Sequence, residues 1–314
     1  MKLNLTVIIL TYNEEIHIRR ALECVCPIAH QVLVVDSLST DRTEDICNEY
    51  TNVRLYKHAW PGNQAEQFNW AIDNLKIDTE WVLRLDADEY LTEELVAEMH
   101  QKLPVMAAEV SAVVLPLGRA FHGRLLKHGI VRGIKMIRLF RNGCVRYEQR
   151  LMDEHLQVLK GSTIDFENQF VDDSLISMAA FTAKHNGYSN REAAMLLDAE
   201  YKLTELSEND AKYADEVAAK RRQKAKYARM RLYWRSLGYF LYRYIIKLGF
   251  LDGRAGFEWD FFQGLWYRML IDSKVAEARR QCGSDKRKLI EYIRCNFGID
   301  LNAKMNQPDS ESEG

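Results

Sequence analysis

Three carboxylates end an apolar run of the chain. Trp81–Leu85 is short and apolar and predicts a buried strand, and it leads directly into Asp86, Asp88 and Glu89. Like charges at the end of a buried strand require a cation or hydrogen-bond donors beside them. Thr92 follows as a predicted N-cap of a helix, so the carboxylates occupy the turn after a strand.

This Asp-x-Asp turn has the chemistry of a divalent-cation site. Mg²⁺ and Mn²⁺ prefer oxygen ligands and commonly take one or two protein carboxylates together with substrate phosphates. The carboxyl ends of strands are also where open α/β sheets bind ligands. Taken alone, however, the turn fits equally well an acidic, solvated loop.

The chain before this turn predicts alternating strands and helices. The predicted strands are Leu5–Leu10, Gln31–Val35 and Val53–Tyr56, and the predicted helices run from an Asn13 cap to Cys24, from the turn at 37–41 to Tyr50, and from Gln64 to Leu75. This alternation indicates βαβ units with a mostly parallel sheet. Right-handed crossovers then place the ends of the strands along one rim.

Composition limits the class of protein. The 314 residues carry 43 Lys and Arg against 45 Asp and Glu, a formal net charge of −2, which gives no support for nucleic-acid binding. The six cysteines form no Cys-x-x-Cys pair and are expected to be reduced thiols of a cytosolic protein. The first apolar run is too short for a signal peptide, and no 18-residue uncharged apolar stretch predicts a membrane span.

Motifs of other nucleotide-binding folds are missing: neither G-x-G-x-x-G nor G-x-x-x-x-G-K-[ST] occurs after the first strand. Instead, four segments in order resemble the inverting glycosyltransferases of family 2, which have the GT-A fold. These segments are Val7-Ile8-Ile9-Leu10-Thr11-Tyr12-Asn13-Glu14-Glu15, Val34-Val35-Asp36-Ser37-Leu38-Ser39-Thr40-Asp41-Arg42-Thr43, Trp60-Pro61-Gly62-Asn63-Gln64-Ala65-Glu66-Gln67-Phe68-Asn69 and Asp86-Ala87-Asp88-Glu89.

The resemblance implies an α/β, GT-A fold with a mostly parallel mixed sheet, and a nucleotide site on the rim. The side chains it assigns to the nucleotide are Thr11, Tyr12, Glu14, Asp36, Gln67 and Asp86. Asp36 would accept a hydrogen bond from the base, Asp86 would lie near the ribose, and Asp88, helped by Asp86, would ligate Mg²⁺ or Mn²⁺. The alternatives are that Thr11 caps a helix, that Asp36 orders a turn, and that Gln67 is simply exposed.

An inverting transfer needs a carboxylate base, and the resemblance places it after the mixed part of the sheet. Strands are predicted at Ser111–Pro116 and Ile134–Phe140, followed by an Asn142-Gly143 hairpin turn and a return strand Val145–Leu151. Glu154 is the first choice for the base and Asp153 the second. Both could instead be exposed acids of an ordinary turn.

The segment 183–193 resembles members of the family that build bacterial surface polysaccharides, and it suggests His185 as a further metal ligand. The alternative is a structural histidine, which is the commoner case.

The C-terminal part is basic, then aromatic. Eight basic residues lie between 220 and 235, and apolar, aromatic helices follow at 239–248 and 257–269. These features fit an in-plane contact with an anionic membrane, or a helical subdomain that packs its aromatics inward. The predicted organisation is a GT-A domain at 1–205, a helical region at 206–306 and a disordered tail at 307–314.

The resemblance implies transfer, with inversion, of a hexose from a nucleotide sugar, a UDP-sugar, to a hydroxyl of a lipid-linked or lipopolysaccharide-type glycan, whereas the residues themselves indicate only a metal, a phosphate and a carboxylate base. The enzyme would act in the cytoplasm, at the inner face of the cell membrane. Two alternatives stay open: a non-catalytic sugar-nucleotide-binding or scaffold protein of a polysaccharide assembly complex, and a nucleotidyltransferase. The latter would be expected to carry a basic, Gly-rich turn after the first strand, where this chain has Thr-Tyr-Asn-Glu-Glu.

Overall fold

The computed structural model describes residues 2–131, 133–148, 156–204 and 230–301. The chain forms two compact units, Met1–Ile176 and Ser177–Gly314. The domain boundary predicted near residue 205 stays a prediction about the catalytic domain, although the compact units divide earlier, before the long helix that opens the second unit.

The first unit alternates strands and helices in its N-terminal half. Its strands there are β1 (Leu3–Thr11), β2 (Ala29–Asp36), β3 (Val53–Lys57), β4 (Trp81–Asp86) and β5 (Glu89–Leu91). Its helices are α1 (Ile18–Val25), α2 (Thr43–Asn48), α3 (Gln64–Asn74) and α4 (Glu93–Lys102). The described residues of its later part, from 110 on, form the strands β6 (Val110–Phe121), β7 (Arg124–Leu126), β8 (Lys135–Arg141), β9 (Val145–Tyr147), β10 (Leu156–Val158), β11 (Ser162–Asp165) and β12 (Phe170–Asp172).

Among the residues that the structure describes, ten strands form one mixed sheet with the order β3-β2-β1-β4-β8-β6-β12-β5, and β7 and β11 pair with β6. β3, β2, β1 and β4 are parallel, as the βαβ pattern predicts, and β8 joins them antiparallel. Register places Thr11 opposite Asp36 and Leu10 opposite Asp86. The ends of these three strands therefore meet on one rim, which confirms the predicted α/β arrangement.

Two apolar layers cover the faces of this sheet. One layer joins the sheet to α1 and α4 through side chains such as Leu22 and Leu95, and the other joins it to α3 through Phe68. All three side chains are fully buried. Apolar runs such as 5–9 and 81–85 form strands because both of their faces find partners.

β8 contains an extra residue. Val113 of β6 pairs with Leu139 and Val114 pairs with Ile137, so Arg138 has no partner on β6. Such a bulge reverses the alternation of side chains along one strand. Leu139 consequently lies in the layer of α1 and α4, whereas Ile137 packs against the layer of α3.

The predicted helix starts are partly right. Thr92 and Asn63 cap α4 and α3 through their side-chain oxygens, as the capping preferences indicate. The predicted Asn13 cap is wrong, because α1 begins only at Ile18, and Asn13 accepts a hydrogen bond from the Thr40 amide at 2.8 Å. The predicted strand after Asn142-Gly143 begins at Val145 as expected, but it does not return along β8, since β9 pairs with β10.

The second unit is helical in the part that the structure describes. Its α-helices are α5 (Met178–Tyr201), α6 (Trp234–Leu241), α7 (Gly253–Trp259), α8 (Tyr267–Cys282) and α9 (Lys286–Tyr292). π-helical stretches at Tyr242–Ile246, Asp260–Trp266 and Ile293–Phe297 continue three of them. Its core brings α5, α8 and α9 together around Leu197, Val275 and Leu289. None of the described helices is both long enough and apolar enough to cross a bilayer.

Candidate functional site

The polar ends of β1 and β2 are joined directly. The Thr11 hydroxyl donates to Asp36 Oδ1 at 2.9 Å, and the Ser39 amide donates to Asp36 Oδ2 at 2.8 Å. The Ser39 hydroxyl donates to Oδ1 at 2.5 Å. Asp36 is buried, and these three donors satisfy most of its acceptor capacity while holding its carboxylate at the rim. Asp36 thus orders the turn after β2, and the predicted bond from a nucleotide base would add to these partners.

Asp86, at the end of β4, lies between two buried arginines. Arg84 Nη2 donates to both of its oxygens, at 2.9 and 3.2 Å, and Arg138 Nη2 donates to Oδ2 at 3.2 Å. Gln64, at the start of α3, donates to Oδ1 at 3.2 Å. Burial opposes ionisation, but the two guanidinium groups outweigh it and hold the pKa of Asp86 below its usual range. Asp86 is therefore an ionised acceptor whose charge is already compensated.

Glu89 closes this network from the other side. Its carboxylate accepts the Asp86 amide at 2.9 Å and Arg138 Nη2 at 2.5 Å. Burial raises the pKa of Glu89, against the opposing pull of Arg138. Glu89 therefore fixes the backbone of the Asp-x-Asp turn at the Asp86 amide, and Arg138 bridges the carboxylates of Asp86 and Glu89.

The backbone of Asp88 is held as well. Its carbonyl oxygen accepts from Arg20 Nη2 at 3.1 Å and from the Asp173 amide at 3.0 Å. Arg20 Nη1 also pairs with the Asp173 carboxylate at 2.5 Å. β12 pairs antiparallel with β5, which brings Asp172 and Asp173 next to this turn across more than 80 residues of sequence.

A cation at this turn would need ligands from outside the protein. Among the described residues, no group of three or more His, Cys, Asp or Glu side chains could hold a metal ion. Asp86 is already paired with two arginines, so a cation bound at the turn would share this carboxylate with them. Substrate phosphates and water would have to complete the coordination, as is usual for Mg²⁺.

The turn after β1 presents one exposed aromatic side chain and one bonded acid. Tyr12 is 61% exposed, which leaves its ring open to a base or sugar. Glu14 Oε2 pairs with Nδ1 of the buried His17 at 2.6 Å, and His17 Nε2 accepts the Leu175 amide at 2.9 Å. The N–H of the His17 ring is therefore at Nδ1, and it donates a hydrogen bond to Glu14 that orients that carboxylate.

Gln67 lies below the rim rather than on it. Its side chain is fully buried, and its amide nitrogen donates to Ser37 Oγ at 3.1 Å and to the His58 carbonyl at 3.0 Å. Its oxygen is 2.6 Å from His58 Nδ1. Gln67 thus joins α3 to the segments that follow β2 and β3. A direct contact of Gln67 with nucleotide stays a prediction, and the observed bonds give it a positioning role.

The predicted bases Asp153 and Glu154 lie outside the described residues, but the strands on either side of them are described. Arg84 Nη1 hydrogen-bonds the Tyr147 hydroxyl, which connects the end of β9 to the network around Asp86. Asn69 accepts the Tyr147 amide at 3.1 Å and donates to its carbonyl at 3.0 Å. Leu156 pairs with Tyr147 across the β9–β10 ladder.

His185 lies in the second unit, on α5. Its Nδ1 donates to the Phe181 carbonyl at 2.8 Å, and its Nε2 lies 2.5 Å from the Gln263 amide nitrogen. The ring also stacks on Phe181, with 3.9 Å between ring centroids. Both ring nitrogens are engaged within that unit, so metal binding by His185 would require the bond to Gln263 to break.

The sequence interpretation missed Arg84 and Arg138, which are the main partners of the acidic turn. A signal for Arg84 was present: an arginine inside an apolar strand, two residues before Asp86, shares a face with it, and a buried charge requires a partner. No comparable local signal marks Arg138, because its position depends on the bulge in β8.

Comparison with known proteins agrees with this geometry. Residues 6–128 match the model of glycosyl transferase family 2, a range that contains Thr11, Asp36, Asp86 and Asp88. This match and the mixed sheet confirm the expected GT-A fold. This N-terminal stretch of the chain is therefore similar to glycosyl transferase family 2.

Two curated relatives illustrate the match. An uncharacterized glycosyltransferase of Rickettsia bellii (strain RML369-C) is 38% identical over 95 residues, 30% of this chain and 31% of that protein. The SPbeta prophage-derived glycosyltransferase SunS of Bacillus subtilis (strain 168) is 25% identical over 186 residues, 59% of this chain and 40% of SunS. The chain therefore spans less than half the length of these relatives.

Among solved structures, TarS 1–349 of S. aureus superposes with a TM-score of 0.42 at 17% identity, over 98% of this chain and 92% of that one. The glucosyl-3-phosphoglycerate synthase of Mycobacterium tuberculosis gives a TM-score of 0.30 at 19% identity, over 37% of this chain and 44% of that one. The latter was crystallised with Mn²⁺, uridine diphosphate and glucosyl-3-phosphoglycerate.

Proposed function

We propose that this protein is an inverting glycosyltransferase that moves a hexose from a nucleotide sugar, a UDP-sugar, to a hydroxyl group of an acceptor. The main support is the alignment of Thr11, Asp36 and Asp86 at the ends of adjacent parallel strands, inside the stretch that matches the family. Hydroxyl and carboxylate groups on one rim can bind the polar edges of a base and a ribose.

The residues of the rim would divide the work of binding. Tyr12 offers an exposed ring to the base, while Thr11, Glu14 and Asp36 supply polar contacts to the nucleoside. Asp86, kept ionised by its two arginines, would accept hydrogen bonds from the ribose hydroxyls. Because those arginines hold Asp86 in place before any ligand arrives, the ribose would meet a preorganised acceptor.

Asp88, with Asp86 beside it, would hold Mg²⁺ or Mn²⁺. The bound cation would neutralise the negative charge that develops on the departing diphosphate. Arg20 and Asp173 fix the carbonyl of Asp88 and so set the direction in which its side chain leaves the turn. His185 could act as an additional ligand only after its bond to Gln263 breaks, because both of its ring nitrogens are already bonded.

In the transfer step, the acceptor oxygen would bond to the anomeric carbon as the bond from that carbon to the diphosphate oxygen breaks. Glu154, or failing that Asp153, would take the proton of the acceptor hydroxyl. This assignment is supported by the described ends of their segment, since Tyr147 is linked to Asp86 through Arg84.

The acceptor we propose is a lipid-linked or lipopolysaccharide-type glycan, with the enzyme in the cytoplasm at the inner face of the membrane. The segment 183–193 and the basic, aromatic C-terminal helices support this part of the proposal. We also propose that the functional catalytic domain extends to about residue 205, so that it includes α5.

Calorimetry of UDP binding with and without Mn²⁺ tests the proposal, alongside an assay of UDP release from UDP-sugars. Asp88→Ala should abolish metal-dependent binding and turnover, whereas Glu94→Ala, which removes an exposed acid of the following helix, should change neither. Glu154→Gln should keep binding and lose transfer. Unchanged metal-dependent binding in Asp88→Ala would refute the metal assignment. Tight UDP binding without turnover on any donor would favour the sugar-nucleotide-binding alternative.

A further inference from the structure

The segment 230–257 of the second unit buries three of its charged side chains. Arg235 is buried against Asp272, with Nε to Oδ1 at 2.8 Å, and Arg243 is buried against Asp260 at 2.7 Å. Asp252 is also buried. Charged groups normally occupy the surface of a helical unit exposed to water, because their desolvation is costly unless they are paired.

The outside of the same segment is apolar. Trp234 and Ile246 expose 70% and 68% of their surface, and most of their apolar neighbours are at least two-fifths exposed. We call these side chains the apolar surface: Tyr233, Trp234, Leu241, Tyr242, Ile245, Ile246, Leu248, Phe250, Leu251 and Phe257. Ten exposed large apolar side chains between residues 233 and 257 are unusual for a protein that meets only water.

The turn at the middle of this surface is held rigidly. A Cβ added to Gly256 would collide with the carbonyl oxygen of Gly249, and one added to Gly249 would collide with the Asp260 carboxylate. The backbone of the short helix Gly249–Asp252 therefore packs directly on α7. The neighbouring Leu248, Phe250 and Leu251 keep 45%, 43% and 50% of their surface exposed.

The exposed charge beside the apolar surface is positive. Arg231, Lys247 and Arg254 are exposed. Of the two acidic residues between 230 and 258, Asp252 is buried, and Glu258 is half-buried and pairs with Arg254 at 2.7 Å. Aromatic and aliphatic side chains flanked by exposed cations are the composition of elements that lie in the interface of an anionic bilayer.

We propose that the apolar surface docks into the interface of an anionic lipid bilayer, with Lys247 and Arg254 at the level of the lipid headgroups. A lipid partner fits better than a protein partner because the buried charged side chains pair within the unit, while the exposed apolar side chains can contact hydrocarbon. This inference deepens the proposed function by naming the surface that would bring the enzyme to a lipid-linked acceptor, and it uses none of the residues of the rim.

Flotation of the full-length protein with vesicles tests this inference, using phosphatidylcholine alone and phosphatidylcholine mixed with phosphatidylglycerol. The wild type should float with the mixed vesicles. The double variant Ile246→Glu, Leu251→Glu should bind roughly tenfold less or weaker still, because two apolar side chains lose their burial in lipid. The matched control is Val105→Glu, Leu159→Glu, which makes the same change at residues that are 81% and 62% exposed in the first unit and should float as the wild type does.

The double variant Lys247→Glu, Arg254→Glu should lose the preference for phosphatidylglycerol and its sensitivity to salt. Circular dichroism checks that each variant is folded, and UDP binding checks the rim independently, so a failure here is separable from a failure of the proposed function. The inference would be overturned if the wild type did not float, or if both double variants of this surface floated as the wild type does. A dimer in sedimentation velocity that Ile246→Glu, Leu251→Glu dissociates would instead assign the surface to a second copy of the chain.

Discussion

Asn69 joins the middle of α3 to β9, and its replacement by leucine gives the sharpest test of the site architecture. The buried amide makes both backbone hydrogen bonds of Tyr147, at 3.0 and 3.1 Å. Leucine has nearly the same volume but cannot donate or accept. A buried donor and a buried acceptor of the backbone would lose their partners, at about 1–3 kcal/mol each, so Asn69→Leu should destabilise the first unit by about 2–6 kcal/mol.

The change should also reduce sugar transfer more than nucleotide binding. β9 leads into the segment that contains Glu154, whereas the residues proposed to bind the nucleoside lie at the ends of β1, β2 and β4. The assays are urea denaturation, UDP calorimetry and transfer kinetics. Asn74→Leu is the matched control, because Asn74 lies on the same helix, is exposed and bonds only the carbonyl of Trp70 among its described contacts.

The reasoning would be refuted if Asn69→Leu lost less than about 1 kcal/mol of stability and transferred sugar at the wild-type rate. That result would mean that β9 is held by its ladder with β10 alone. An equal loss in Asn74→Leu would point instead to a general effect of leucine on α3.

Two further predictions concern buried charges away from the rim. Burial opposes ionisation of Glu98, but hydrogen bonds from Lys102 and from the backbone of Asn168 outweigh it and lower the pKa of Glu98 below the usual 4.5. The stabilising contribution of Glu98 is therefore present above pH 4.5 and is lost as the pH falls through the lowered pKa. Glu98→Gln should therefore flatten the acid side of the stability–pH curve measured by urea denaturation, and an unchanged acid slope would contradict this. Asp272→Ala should destabilise the second unit by about 3–5 kcal/mol in thermal or chemical denaturation, because it leaves Arg235 buried without its carboxylate; a loss under 1 kcal/mol would show that the pair is dispensable.

The sequence predicted the parts of the site that local patterns specify. Strands such as β1 and β4 are continuous apolar runs, and the polar residues that end them must lie on the rim once the crossovers are right-handed. Thr92 likewise predicts the start of α4, because a capping residue bonds the backbone of the first helical turn. These features need no knowledge of distant parts of the chain.

The partners of the rim depend on contacts between distant segments, and the sequence could not predict them. β12 returns to β5 and brings Asp173 to Asp88 from 85 positions away in the printed sequence, and nothing in the local pattern of either strand specifies that pairing. The same holds for Gln67, which a helical pattern shows as exposed but which three-dimensional packing buries between Ser37 and His58.

Because of its bulge, the short strand β8 places side chains in three environments, namely the two apolar layers and the acidic turn. In a regular strand, Ile137 and Leu139 would face the same side, and a residue between them would face the other apolar layer. The extra position sends these two side chains to opposite layers and leaves Arg138 outside the alternation, where its guanidinium reaches Asp86 and Glu89. The positively charged guanidinium of Arg138 thus lies within a largely apolar sheet without replacing an apolar side chain in either of the two layers.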